Sequence, residues 1–136
     1  MREILFKAKS KDNGEWTEGY YAMLGNEDLA RHFIVQNCAV LKLSENSEDN
    51  MFFNDVEIDP ETLCQYTGLK DKNGDRIWEN DIVYIRSSGL SGYGIIEYEN
   101  GCLVVRDKKR ERTYSLFGEW KIRVDGNKFD NPELLQ

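Results

Sequence analysis

Four turn-forming pairs punctuate the chain: Asn13-Gly14, Asn73-Gly74, Asn100-Gly101 and Asp125-Gly126. Asparagine, aspartate and glycine accept positive φ at low cost, and two-residue hairpins need that geometry. Short β-branched and aromatic stretches flank each pair. A chain written this way folds into antiparallel hairpins and leaves little room for long helices. Residues 4–8 read as a first strand and 16–24 as its partner across Asn13-Gly14. Further strands are expected at 39–43 and 52–58.

Two stretches carry helix signals. Asn26-Glu27-Asp28-Leu29-Ala30 reads as a capped short helix, while His32-Phe33-Ile34-Val35 after it favours a strand. Asp59-Pro60-Glu61-Thr62-Leu63 opens one helical turn, with Asp59 as cap and Pro60 at the first helical position. The segment 44–50 is polar throughout and reads as an exposed loop.

The second half is more regular. Residues 76–78 lead into strands at 81–85, 93–98, 102–105 and 113–117. Trp120-Lys121-Ile122-Arg123-Val124 alternates strictly, which sets Trp120, Ile122 and Val124 on one face. Five short strands with short connections imply a small barrel or a strongly bent meander. The segment 87–92, rich in serine and glycine, reads as a loop between the first two. Sixteen aromatics in 136 residues argue for a packed core. No apolar run approaches the roughly 20 residues that span a bilayer, and no apolar leader is visible at the start.

The net charge of −7 is unevenly placed. Residues 1–68 hold six basic and thirteen acidic side chains, whereas 69–136 hold twelve of each. An acidic surface repels phosphate backbones, so nonspecific nucleic-acid binding by the whole chain is disfavoured. Cys38, Cys64 and Cys102 lie far apart beside apolar residues, and His32 is the one histidine. That set offers no clustered zinc ligands and reads as reduced, buried thiols in a cytosol.

Catalytic signals are poor. No phosphate-cradling glycine loop, zinc-protease helix or histidine triad is present, and no carboxylate pair is marked by spacing. Asp71-Lys72-Asn73-Gly74-Asp75 resembles the start of a calcium loop, but the register fails. Its glycine falls at the fourth position, and Ile82 stands where a bidentate glutamate belongs. It reads as a turn, with Asn73 or Gly74 in the left-handed region. The basic cluster Arg106-Asp107-Lys108-Lys109-Arg110-Glu111-Arg112 falls between two expected strands, at an exposed hairpin tip. Lys108, Lys109, Arg110 and Arg112 are the candidate contacts to an acidic or phosphate-bearing partner. The plainer alternative is a solvated turn whose charges guard a strand edge.

Longer motifs carry a resemblance. Cys64-Gln65-Tyr66-Thr67-Gly68-Leu69-Lys70-Asp71-Lys72-Asn73-Gly74, followed by Ile77-Trp78-Glu79-Asn80-Asp81-Ile82-Val83, is similar to the central block of YopX-like phage and prophage proteins. Arg2-Glu3-Ile4-Leu5-Phe6-Lys7-Ala8 resembles the family's opening. Gly126-Asn127-Lys128-Phe129-Asp130-Asn131-Pro132-Glu133-Leu134-Leu135 resembles its close. Two positions depart from the pattern: Asn80 stands where the family commonly has glycine, and Lys7-Ala8-Lys9 replaces a basic-aromatic pair. Asparagine tolerates left-handed φ, so the turn survives.

The resemblance implies a mostly β fold. An N-terminal acidic β subdomain over 1–59 is expected to pack on a C-terminal SH3-like small barrel over 60–136, with short helical turns. Asn131-Pro132-Glu133-Leu134-Leu135 reads as a cap and one turn that lays two leucines on the barrel. The resemblance also implies a phage or prophage accessory protein in a bacterial host cytoplasm. It supplies no catalytic, cofactor-binding or metal-binding residue. The expectation is a non-enzymatic binding module that contacts a host or phage protein. Nucleic-acid binding through 106–112, mimicry of a nucleic acid by the acidic first half, and a hydrolase with an unmarked carboxylate pair are the alternatives. Exposed strand edges also allow a homo-oligomer.

Overall fold

The computed structural model describes residues 4–41, 50–87, 90–115 and 121–136, without the side chains of 37–41, 50–53, 87 and 90. Strands account for most of these residues and form antiparallel sheets, and the helical elements among them are two single 3-10 turns. The fold is mostly β, with turns at Asn13-Gly14, Asn73-Gly74 and Asn100-Gly101 as expected. Asp125-Gly126 is not a turn but lies at a register shift within the strand Lys121–Asn127, where antiparallel pairing keeps the backbone extended. The chain divides into two compact units, Glu3–Gln65 and Tyr66–Gln136.

In the first unit, β1 (Phe6–Lys9), β2 (Trp16–Leu24), β3 (Arg31–Leu41) and β4 (Asn50–Glu57) form an antiparallel meander. Asn13-Gly14 turns β1 into β2, with Gly14 at φ +71° and the Asn13 side chain accepting from the Glu15 amide at 2.9 Å. The expected helix at 26–30 is instead a turn. The Leu29 amide donates to both the carbonyl and the side chain of Asn26, at 3.1 and 3.2 Å. Pairing of Leu24 with Arg31 then draws the chain straight into β3, so cross-strand bonds defeat a local helix signal.

Register shifts between Val35 and Asn37, where β3 meets β4. At this bulge Gln36 donates to Thr17 at 2.8 Å and accepts from Asn54 at 3.1 Å. Of the expected loop at 44–50, residues 44–49 lie outside the described residues and Asn50 opens β4. Asp59 caps the 3-10 turn Pro60–Thr62 by accepting from the Glu61 amide at 3.1 Å, as the motif predicts. Ala8, Ile34 and Ile58 form the buried core, with Phe6, Tyr21 and Leu63 packed against it.

β5 (Cys64–Lys70) straddles the division. Cys64 and Gln65 pair with β1, while Tyr66 and Lys70 pair with β6 (Arg76–Trp78). Gly68, at φ +84°, bends the strand, and the buried Tyr66 ring lies 5.3 Å from Trp78. The second unit continues with β7 (Asp81–Ser87), β8 (Leu90–Glu99), β9 (Cys102–Asp107), β10 (Arg112–Ser115) and β11 (Lys121–Asn127). Their order is β10-β9-β8-β7-β11, a meander whose last strand returns beside β7. The loop expected at 87–92 is mostly strand. Ser87, Arg86 and Ile85 pair with Leu90, Ser91 and Gly92, leaving 88–89 to connect them outside the described residues. A serine-glycine composition signals a loop only where no neighbouring strand takes up its backbone.

The core of this unit is Ile77, Val83, Ile85, Ile96, Val105 and Ile122. Val124 packs on it as alternation predicts; Trp120 lies outside the described residues. At the close, Pro132–Leu135 forms a 3-10 turn, but Asn131 does not cap it with its side chain. Instead the Asn131 carboxamide accepts from the Asn127 amide at 3.2 Å. Gly126 makes that possible, because any Cβ there would collide with the Asn131 side chain.

Asn80 holds φ +70° between β6 and β7, donating its amide to Ile96 and accepting from Lys128. Alanine and glycine both remove its side chain, and only glycine adopts that φ freely. Asn80→Gly is therefore expected to be more stable than Asn80→Ala by about 1 kcal/mol. Urea midpoints at constant slope measure the difference.

Candidate binding site at the 106–112 hairpin

The middle of the basic cluster, residues 108–111, is a hairpin tip as expected. Arg106 and Asp107 belong instead to β9 and Arg112 to β10, because strand pairing extends further into the cluster than its charges suggest. Arg112 pairs with Asp107 across a four-residue turn, and Glu111 sits at φ +52°. The structure sorts the cations into three groups. Arg106 lies back along the sheet, where it donates to Glu97 at 2.7 Å and to Glu99 at 3.1 Å. The Glu97 carboxylate, by hydrogen bond and charge, pushes the already high pKa of Arg106 higher.

Arg110 is a brace. Its backbone amide and Nη1 donate to the Asp107 carboxylate at 3.1 and 2.9 Å, and Nη2 donates to the Ser91 carbonyl at 3.0 Å. Asp107 is buried, so this pairing satisfies a carboxylate that would otherwise be costly to desolvate. Gly92 leaves the space: a Cβ there would sit 3.0 Å from Arg110 Nη1.

Lys108, Lys109 and Arg112 are exposed and make no ion pair among the described residues. Lys108, Lys109 and Arg110 border a depression of about 270 Å³. Its remaining wall is Asp107, residues 91–93 of β8 and the half-buried Leu134 and Leu135. Arg112 lies outside that rim. From the sequence, the leucines belong to a packing turn. Nothing local links them to a turn some 25 residues earlier, so their place beside the lysines is visible only in three dimensions.

Other chemistry-bearing groups are occupied in structural bonds. Arg123 donates to Asp125 through Nε and Nη2 at 2.6 and 2.8 Å, and Tyr93 donates to the same carboxylate at 3.1 Å. Arg123 holds the Asp125 carboxyl below its usual range, and the bond to Asp125 pushes the Tyr93 phenol up, away from a reactive phenolate. His32 shares a 2.6 Å hydrogen bond with Tyr21. Asp71, the residue of the calcium-like motif, accepts from three backbone amides. Among the described residues, no three His, Cys, Asp or Glu side chains gather to hold a metal ion.

The thiols depart from expectation at one position. Cys64 is buried and donates to the Thr62 carbonyl at 3.3 Å, but Cys102 is exposed. It starts β9 opposite Glu99 at the Asn100-Gly101 turn, too near the hairpin end to be covered. The Cys38 side chain lies outside the described residues.

No curated protein matches the chain. Two solved structures align over the whole of both chains. One is the crystal structure of protein EF1440 from Enterococcus faecalis, at 22% identity and a TM-score of 0.61. The other is the crystal structure of protein yopX from Bacillus subtilis, at 16% identity and a TM-score of 0.56. At such identities the likeness is one of fold. The family described as YopX protein matches residues 5–136, nearly the whole sequence, and the chain therefore belongs to the YopX family.

Proposed function

We propose that this chain is a non-enzymatic binding module that contacts another protein. The observation that carries this reading is the division of labour among its charges. Asp71, Asp107, Asp125, Arg106, Arg110 and Arg123 are spent on internal bonds, while Lys108 and Lys109 stand exposed beside an apolar wall. The phage or prophage origin and the bacterial cytoplasm belong to this proposal and rest on the family resemblance. So does an SH3-like barrel for the second unit, a shape that five short antiparallel strands support. No helix among the described residues is long and apolar enough to cross a membrane.

The test is capture from bacterial lysate at several salt concentrations, followed by binding between the purified pair. Wild type is expected to retain a reproducible protein, and Lys108→Ala with Lys109→Ala to weaken it about fivefold. A lysate that yields no reproducible partner at any salt sinks the reading.

Nucleic-acid binding through the hairpin is the second reading, favoured by the exposed Lys108, Lys109 and Arg112. It predicts mobility shifts at low salt that fade when Lys108, Lys109, Arg110 and Arg112 become alanine. The net charge of −7 and the engagement of Arg110 count against it. The acidic first half as a nucleic-acid mimic predicts competition with DNA for a shared protein.

A further inference from the structure

We infer that the depression between the 108–111 turn and Leu134-Leu135 receives an acidic polypeptide segment that sets a carboxylate next to an aliphatic side chain. The inference rests on the protein-binding reading and names the chemistry of the partner.

Three features of the walls select that ligand. First, the charged side chains that line it are mostly cationic, Lys108, Lys109 and Arg110 against Asp107. Asp107 is part of the wall, but its side chain is only 6% exposed and is held by Arg110. Lys108 and Lys109 therefore set the local sign, although the protein as a whole is acidic. Second, the opposite wall is Leu134 and Leu135, which offer nothing to a phosphate and suit an aliphatic side chain. Third, the volume of about 270 Å³ lies just below the range of ~300–1,000 Å³ for small-molecule pockets, a size that suits one or two side chains.

The site is also pre-organised. Arg110 ties the turn to Asp107 and to the Ser91 carbonyl, so the rim is fixed before a ligand arrives. Less ordering then remains to oppose binding. A nucleic acid fits these walls poorly. Single strands need an open aromatic face on which bases stack. The one aromatic in the wall, Tyr93, is pinned by its bond to Asp125 and by the Tyr84 ring 5.2 Å away.

The probe is a fluorescein-labelled octapeptide of alternating glutamate and leucine, titrated with the full chain and read by anisotropy. Saturable binding is expected, with amide shifts confined to residues 91–93, 107–110 and 134–135. Lys108→Ala with Lys109→Ala should weaken it about fivefold or more. Lys108→Glu with Lys109→Glu should reject it and accept the same peptide with lysine for glutamate. Replacing the peptide's leucines by serine should weaken binding comparably. No saturation at millimolar peptide overturns the inference. So does equal affinity for the serine peptide, or displacement of the probe from these residues by an oligothymidylate of 15 nucleotides. Lysate capture that persists in the double-alanine variant, alongside a peptide that fails, removes this site and leaves the binding module standing.

Discussion

Replacing Asp71 with alanine is expected to lower stability by about 3–5 kcal/mol. The Asp71 carboxylate accepts from the Asn73 and Asp75 amides, both at 2.9 Å, and from the Val124 amide at 3.0 Å. The first two bonds shape the turn that follows β5. The third ties that turn to β11, 53 positions away. Alanine takes the charged acceptor away from three backbone donors, and each lost charge-assisted bond adds its own cost, most of all at the half-buried Val124 amide. The effect on melting is about 10 °C or more. The substitution Asp71→Asn keeps one acceptor oxygen but turns an amide donor toward a backbone donor. It is thus expected to lose about half as much.

The pH dependence has a definite sign. Burial pushes the Asp71 carboxyl up, but hydrogen bonds from Val124, Asp75 and Asn73, helped by Lys72, outweigh it and hold the pKa below the usual value. A depressed carboxylate contributes stability that is fully present above its unfolded pKa, about 3.9. That contribution fades as pH falls through the lower folded value. The gap between wild type and Asp71→Ala should therefore be widest near neutrality and narrow on strong acidification. Urea unfolding of both proteins along a descending pH series measures it. A gap under about 1 kcal/mol at pH 7, or one that widens in acid, contradicts the role given to Asp71.

What is legible in the residues is what depends on a few neighbours. Asn13-Gly14 and Asn100-Gly101 mark hairpins because the dipeptide alone supplies the positive φ. Asp59-Pro60 marks its 3-10 turn because cap and first position are adjacent. Asn80 is readable as a left-handed position for the same reason. The misreadings share an opposite cause. Residues 26–30 carry a local helix signal that the Leu24 and Arg31 pairing overrides. Residues 87–92 look like a loop until β7 and β8 claim their backbone. At the candidate site, the basic turn is visible in the sequence, but its sorting is not. Arg110 is known as a brace only once β8 brings the Ser91 carbonyl to it. The same holds for Asp71: a turn residue from the sequence, and a link to β11 only in the fold.

Truncating Ile96 tests whether the second unit's core, and not its turns alone, supports the sheet. Ile96 is fully buried in the second half of β8, a strand that pairs with β7 on one side and β9 on the other. It lies opposite Val105 in that ladder. Its side chain packs with Ile77, Val83, Ile85 and Ile122, contributed by three other strands. Strands bonded on both edges cannot collapse into a vacated space, so Ile96→Ala should leave most of its cavity open. The expected loss is about 3–5 kcal/mol, against about 1 kcal/mol for Ile96→Val. Leu24→Ala, at a side chain 60% exposed, should stay within roughly 0.5 kcal/mol. Ile96→Thr separates cavity from strand preference. It keeps β-branching but places a hydroxyl in an apolar core, so it should fall near alanine and not near valine. If valine and threonine proved equal, the backbone ladder would be holding the sheet, and the core would matter less than its burial implies.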